Sequence, residues 1–485
     1  MSSQTTFIVR QSAIYGIGNT LAKLSGALLL PLYMAFTSEA EFGLIALFET
    51  IAQFLLAISA LGAKAGLSRY YYECTDRGRR QFFAASLAFI TASSGVFCLL
   101  GLWAMTTWSV EIFRIPISPA TFVLFSVAVF GLLMAEVPYI ALRLQQKARQ
   151  QTVHRCVNVL MTIALTFVFL RVMHWGVEGI FAAQAAANML TLIGLTPCMV
   201  RNCAAPPDVR TLGESIRYGI PLALSNVVTI VLTLSDRHIL NQLRSIEEVG
   251  GYSLAYKIAN IIQMIVVTSF ITSYTYFYYK SLHDPGLHRT NRNIFRLFVI
   301  AMSVIGFGLV AFRREAVWVV SLGREAYQDS AMLIPYLVVG LLVSGIRQML
   351  TLPLTKLKLT RSISAVSVLI ALTNIVLNFA LIPAMGKLGA SLTTGMAQAL
   401  GCAVFYLMLR RRGEADFDMA VVFKCLGAFA AFAALASAVQ FDSVAGNVAW
   451  GAALMAGLGG SLFALRVVSP ADIREAIAQI RRPRR

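Results

Sequence analysis

Five ionisable residues sit where the chain is otherwise apolar: Lys23, Glu49, Glu136, Lys257 and Arg347. A charge at mid-bilayer costs about 2.5–3.5 kcal/mol even on the lenient insertion scale, so such residues in a membrane are functional candidates by default. Asp236-Arg237, closing another apolar stretch, joins them. Lys23, Lys257, Arg347 and Arg237 have the chemistry to hold a diphosphate or glycan, and Glu136, Glu49 and Asp236 the chemistry to take up a proton or cation. The competing use is inter-helix salt bridging, or snorkelling of the long cations toward headgroups. Asn374 and Asn378, one helical turn apart, put two amides on one face, able to bond a neighbouring helix or to line a wet cavity.

These residues need membrane helices to position them, and the chain supplies them in series. A bilayer core takes about 20 apolar residues of helix. Segments of that length run at approximately 12–35, 42–62, 82–105, 120–141, 153–172, 176–199, 214–234, 249–273, 294–312, 331–350, 362–383, 388–409, 420–440 and 445–466, fourteen in all. The longest polar stretches, near Arg201 to Arg217 and Lys280 to Arg296, are only loop-sized, which leaves little room for a soluble catalytic domain.

Composition agrees: 58% hydrophobic and 13% charged residues over 485 positions, with a formal net charge of +18. That charge is topological and does not call for nucleic acid. With the N-terminus inside, 31 of the 41 Lys and Arg fall on the side holding both termini, 8 on the other, and Lys23 and Lys257 within spans. Clusters such as Arg77, Arg79 and Arg80, or Arg410, Arg411 and Arg412, make the positive-inside signature and meet anionic headgroups. Both termini are therefore expected in the cytoplasm. The seven cysteines are odd in number, have no Cys-x-x-Cys spacing and imply neither a disulfide framework nor a zinc site. The first apolar stretch is too long for the core of a cleavable signal.

Two local matches indicate a duplication. Glu41-Phe42-Gly43 opens the second span and Glu248-Val249-Gly250 the eighth; Gly176-x-x-Gly179 enters the sixth and Gly386-x-x-Gly389 the twelfth. Offsets of 207 and 210 imply six spans per copy. Six being even, the copies share one orientation and a pseudo-twofold axis along the membrane normal. The expected organisation is a six-helix bundle over 1–205, a second over 206–412, two additional spans over 413–468 and a basic cytoplasmic tail over 469–485, where Ile473, Ile477 and Ile480 suit a short interfacial helix. The same offset carries Thr50, beside Glu49, onto Lys257, and an offset of 211 carries Glu136 onto Arg347.

On this framework the chain resembles the polysaccharide flippases, the O-antigen (Wzx-type) branch of the multidrug/oligosaccharidyl-lipid/polysaccharide (MOP) exporter superfamily. The residues that carry the likeness are Asn374-Ile375-Val376-Leu377-Asn378-Phe379-Ala380-Leu381-Ile382-Pro383, Gly386-x-x-Gly389-Ala390 and Thr393-Thr394, supported by Tyr218-Gly219-Ile220-Pro221 and Asp236-Arg237. In the first half the equivalent block has decayed to Arg171-Val172-Met173-His174. The resemblance implies an all-α polytopic fold like that of the multidrug (MATE) exporters with two extra C-terminal helices. It implies a flippase moving an undecaprenyl-diphosphate-linked oligosaccharide across the inner membrane by alternating access, for O-antigen, capsule or exopolysaccharide synthesis. It also implies membrane lipids, a polysaccharide polymerase and a chain-length regulator as partners.

Other chemistry is missing from the sequence. Leu381 stands where a P-loop near Gly386-Lys387 needs its first glycine, and Leu388 follows the lysine, so no ATPase is expected. The five histidines are scattered, with His283 and His288 placed in a solvated loop, and no metal or cofactor is expected beyond a coupling H+ or Na+. A cation-coupled multidrug exporter and a lipid II flippase of the same superfamily remain as alternatives. A polytopic glycosyltransferase or polymerase is disfavoured because the outer loops are short.

Overall fold

The structure is a computed structural model that describes residues 26, 28–59, 62–203, 205–280, 286–439, 441, 443–465 and 467. Among them all regular structure is helical. After a helical stretch over 28–36 come α1 (Glu39–Ser59), α2 (Ala63–Tyr70), α3 (Asp76–Thr107), α4 (Ser109–Phe113), α5 (Pro119–Leu144), α6 (Ala148–Phe167, prolonged by a wider π turn, Val168–Val172), α7 (Gly176–Asn202) and α8 (Val209–Leu243). Then follow α9 (Ile246–Ile262), α10 (Thr268–Lys280), α11 (Leu287–Ala311), α12 (Arg313–Val320), α13 (Ile334–Lys356), α14 (Thr360–Met385), α15 (Lys387–Arg410), α16 (Met419–Ala438) and α17 (Val444–Ala464).

Twelve helices among the described residues are long and apolar enough to cross a membrane. They fall on twelve of the fourteen spans read from the sequence. The first, 12–35, lies largely outside the described residues, and the seventh, 214–234, lies inside α8, which is not among the twelve. The interfacial helix expected after 469 also lies outside them. All seven cysteines are free.

Contacts divide the chain into two units, Met1–Gly250 and Gly251–Arg485. Helix α8 packs with the first of these, on α1, α2 and α3. The repeat boundary expected near residue 205 concerns sequence kinship between halves, a separate property from this division of contacts.

The repeated motifs acquire physical content. Ser38 donates its backbone amide to Glu41 Oε2 at 2.7 Å while Glu41 N donates to Ser38 Oγ at 3.2 Å, a reciprocal capping box opening α1. The Ser245 hydroxyl likewise accepts from Glu248 N at 3.3 Å before α9. Two residues on, Gly43 and Gly250 lie so close to opposing backbone that an added Cβ would stand 2.1 Å from Ile246 O and 2.3 Å from Glu39 O. In the second motif Gly176 (φ 56°) and Gly386 (φ 55°) both turn the chain through the left-handed region before α7 and α15.

In the first unit α5 packs chiefly on α7, and Phe48, Phe113, Phe122, Phe125 and Phe181 meet with ring centroids 4.8–5.9 Å apart. Helix α8 starts at an Asp208 cap that accepts from the amides of Arg210 (3.0 Å) and Thr211 (3.2 Å). Bonds from the Thr211 hydroxyl and amide hold the Asp208 carboxyl below its ordinary value. Removing such a cap costs about 1 kcal/mol, so Asp208→Ala should lower the unfolding temperature in detergent at neutral pH. A depressed carboxylate stabilises above its unfolded value and ceases to do so as pH falls through its folded one. The difference between wild type and variant should therefore shrink in acid, and a pH-independent difference would show that the cap is not its source.

In the second unit α13 packs on α15 and α14 on α15. Asn378 and Asn374 are buried; Asn378 Nδ2 donates to Asn374 Oδ1 at 3.1 Å and Thr393 Oγ1 donates to Asn378 Oδ1, joining α14 to α15. The segment before α16 carries Glu414, Asp416 and Asp418 at alternate positions. Each meets a different base: Lys356 at 2.9 Å, His288, and Arg296 at 4.0 Å. This acidic strap fastens the last two helices to α11 and α13. His288, expected in a loop, thus lies in the first turn of α11, while His283 is outside the described residues. Three ligand-type atoms of His288, Glu414 and Asp416 lie within 4.8 Å of one another, and Lys356 and His288 already face the two carboxylates.

Candidate functional site

The first unit holds a cavity of about 220 Å³ among α5, α6 and α7. Glu136 and Tyr139 reach it from one face of α5, three residues apart, and Pro138 between them leaves the Met134 carbonyl without its usual helical donor. Arg155 and Asn158 enter from α6, Asn188 and Thr191 from α7.

One end is ionic. Glu136 Oε2 lies 3.5 Å from Lys64 Nζ of α2, and Oε1 lies 3.9 Å from Arg155 Nη2. Their side chains are only 21–26% exposed, so the two cations share one carboxylate in a half-buried setting. The Arg155 guanidinium also sits 4.8 Å over the Tyr139 ring, a cation–π contact that fixes its plane. Its Nε has no hydrogen-bond partner among the described residues.

The other end is neutral and polar. Asn158 Nδ2 donates to Asn188 Oδ1 at 3.0 Å and to Thr191 Oγ1 at 2.9 Å, while Asn188 Nδ2 donates to the Ala128 carbonyl at 2.9 Å. Apolar walls are given by Leu132, Ala135 and Val159. The arrangement can hold a small group with an anionic end and several hydroxyls.

Of the residues expected from sequence, Glu136 alone lines this cavity. Glu49 is half-buried on α1, near Tyr33, whose hydroxyl accepts from Gln184 Nε2 at 3.2 Å. Asp236 and Arg237 are neighbours on α8, both buried, and the Asp236 carboxylate accepts the Arg237 amide at 2.8 Å. Lys23 lies outside the described residues. Lys257, half-buried on α9, and Arg347 belong to the second unit; Arg347 Nε donates to Gln398 Oε1 of α15 at 2.7 Å. Asn374 and Asn378 are spent on each other and on Thr393, a helix-packing role.

Sequence reasoning missed Lys64, Arg155, Asn158, Asn188 and Thr191. Lys64 falls just past the second span and Arg155 just inside the fifth, close to the basic loop of Arg143, Lys147 and Arg149, so both read as topological charges. Gln184, Asn188 and Thr191, spaced by four and three within the sixth span, were a signal: one polar face on an otherwise apolar helix.

A family described as polysaccharide biosynthesis protein matches residues 8–277. The fold is similar to that of a lipid II flippase MurJ in an inward closed conformation, at 12% identity over 94% of this chain and 100% of that one, with a TM-score of 0.73. It is also similar to an inward-facing multidrug resistance MATE family transporter of the MOP superfamily, at 13% identity over 81% and 95%, TM-score 0.64. A MOP superfamily transporter from Pyrococcus furiosus, described as having a binding pocket of reverse polarity, is similar at 14% identity over 84% and 96%, TM-score 0.59. No curated protein matches the chain in sequence.

Proposed function

Because the chain belongs to the polysaccharide biosynthesis protein family, on the match over residues 8–277, we propose that it is a flippase for an isoprenoid-diphosphate-linked oligosaccharide destined for a surface polysaccharide. The observation that carries this is the lining of the first unit's cavity. Arg155 enters it beside Glu136, whose carboxylate also lies 3.5 Å from Lys64, next to amides and a hydroxyl suited to sugar. A phosphate carrying a glycan meets that chemistry through the guanidinium at one end and the amides at the other.

In this proposal the protein lies in the inner membrane with both termini in the cytoplasm. The lipid tail stays in the bilayer and the head crosses by alternating access. With no nucleotide motif in the sequence, the energy comes from an ion gradient or from consumption of the product outside. Glu136, Glu49 and Asp236 are the candidates for ion coupling, and Lys23, Lys257, Arg347 and Arg237 for further contact with the substrate. A polysaccharide polymerase and a chain-length regulator would act on the product.

The lipid II flippase reading is favoured by one observation, the similarity in fold to MurJ over nearly the whole of both chains. Deleting the gene and analysing lipid extracts separates the two. The proposal expects retention of a lipid-linked repeat unit on the cytoplasmic face, loss of the surface polymer and normal cell wall. Accumulated lipid II with cell lysis would replace it by the alternative, and unchanged glycolipids and polymer would refute both.

A further inference from the structure

We infer that the cavity of the first unit is a glycosyl-phosphate subsite, built for the phosphate and first sugar of the transported head; the inference rests on the flippase reading and makes it more specific. Its two ends divide the labour. At the ionic end the Arg155 plane is held by Tyr139 with Nη2 3.9 Å from Glu136, and Lys64 stands on the other side of that carboxylate. Arginine donors fixed in this way suit phosphoryl oxygens, which accept in pairs. Glu136 keeps the two cations from repelling each other when the site is empty and can accept a sugar hydroxyl when phosphate takes its place on them.

At the amide end every polar group of Asn188 and Thr191 that is engaged is held by a neighbour on the protein. Asn158 Oδ1 has no partner among the described residues and is free to accept from a hydroxyl. The walls of Leu132, Ala135 and Val159 suit the carbon face of a pyranose ring. Size sets the limit: about 220 Å³ is below the ~300–1,000 Å³ of pockets for drug-sized ligands. One hexose ring with its phosphate fits that space and an oligosaccharide does not, so the remaining sugars lie outside.

The same head chemistry is present in soluble sugar phosphates, and the test separates the sources. Full-length protein purified in detergent is titrated by thermal shift with glucose 1-phosphate, glucose, inorganic phosphate and a farnesyl-diphosphate-linked N-acetylglucosamine. We expect glucose 1-phosphate to bind at least tenfold tighter than glucose or phosphate, and the lipid-linked probe tighter again. Arg155→Gln should reduce glucose 1-phosphate binding to the level of glucose. Asn158→Leu, which keeps the side-chain size, should reduce it to the level of phosphate, and Thr191→Val serves as a second variant should Asn158→Leu fold poorly. Equal binding by wild type and Arg155→Gln, or no preference for glucose 1-phosphate over its parts, overturns the subsite. A lipid-linked probe no tighter than glucose 1-phosphate overturns its assignment to the transported lipid. These readouts are independent of the gene deletion: a glycolipid phenotype without binding removes only this inference, and binding without a phenotype removes the flippase reading and with it the assignment to a transported head, leaving a sugar-phosphate site.

Discussion

Glu136→Gln is expected to lower the unfolding temperature of the protein in detergent by roughly 2–8 °C, and Lys64→Gln on top of it to restore most of the loss. The carboxylate separates two cations at 3.5 and 3.9 Å, and removing its charge leaves them facing each other. Ion pairs with about a quarter of their surface exposed contribute at most about 1 kcal/mol each. Two pairs therefore account for about 1–2 kcal/mol, at ~2–4 °C per kcal/mol for a unit of this size. Removing one cation relieves the repulsion, so stability returns in the double variant. Transport should not return with it. If Lys64 and Arg155 contact the substrate, the double variant is stable and present in the membrane, and its export of surface polysaccharide falls at least tenfold. A stable double variant that exports normally would show that the three charges serve only each other.

Gly219→Val is expected to leave little folded protein in the membrane. A Cβ on Gly219 would stand 2.1 Å from the Gly62 carbonyl oxygen, and one on Gly62 would stand 2.0 Å from the Gly219 carbonyl carbon. Both obstacles are backbone, so no rotamer change relieves them. The cost exceeds the ~1–3 kcal/mol of ordinary overpacking. The contact seats α2 on α8, where Tyr70 and Tyr218 also meet edge to face at 6.2 Å. Gly62→Ala should be worse than Gly219→Ala, because Gly62 holds φ at 80°, a region that charges a side chain about 1–2 kcal/mol more. Gly427→Ala, with nothing within 4 Å of the added carbon, is the control and should be neutral or slightly stabilising. Membrane abundance of a fluorescent fusion and the unfolding temperature in detergent report the order. Equal tolerance of Gly219→Val and Gly427→Ala would mean that α2 and α8 are not held as described.

Much of the architecture was legible in the sequence because the bilayer imposes a length and a polarity on each span. Twelve apolar segments and twelve membrane-length helices coincide for that reason. The paired motifs were legible as well, since a turn at positive φ or a backbone contact calls for glycine, as at Gly176, Gly386, Gly43 and Gly250. The site was legible only where a charge broke an apolar run. Glu136 stood out by that contrast, whereas Lys64 and Arg155 sit within a turn of the interface, where cations are common and orient the chain. Their convergence on one carboxylate depends on how α2, α5 and α6 pack, which spacing along one helix does not encode. The packing of α8 with the first unit is hidden for the same reason.

The two capped glycine helices also carry a local symmetry. Gly43 meets Ile246 and Gly250 meets Glu39; shifting Glu39 and Gly43 by the motif spacing of 207 gives Ile246 and Gly250. Each residue of the contact therefore touches the counterpart of its own partner, which is the signature of an isologous interface. A separate half-length chain bearing this surface would therefore meet a second copy of itself through the same glycine contact. Glycine on both sides keeps the two backbones in contact, and a side chain at either position would part them.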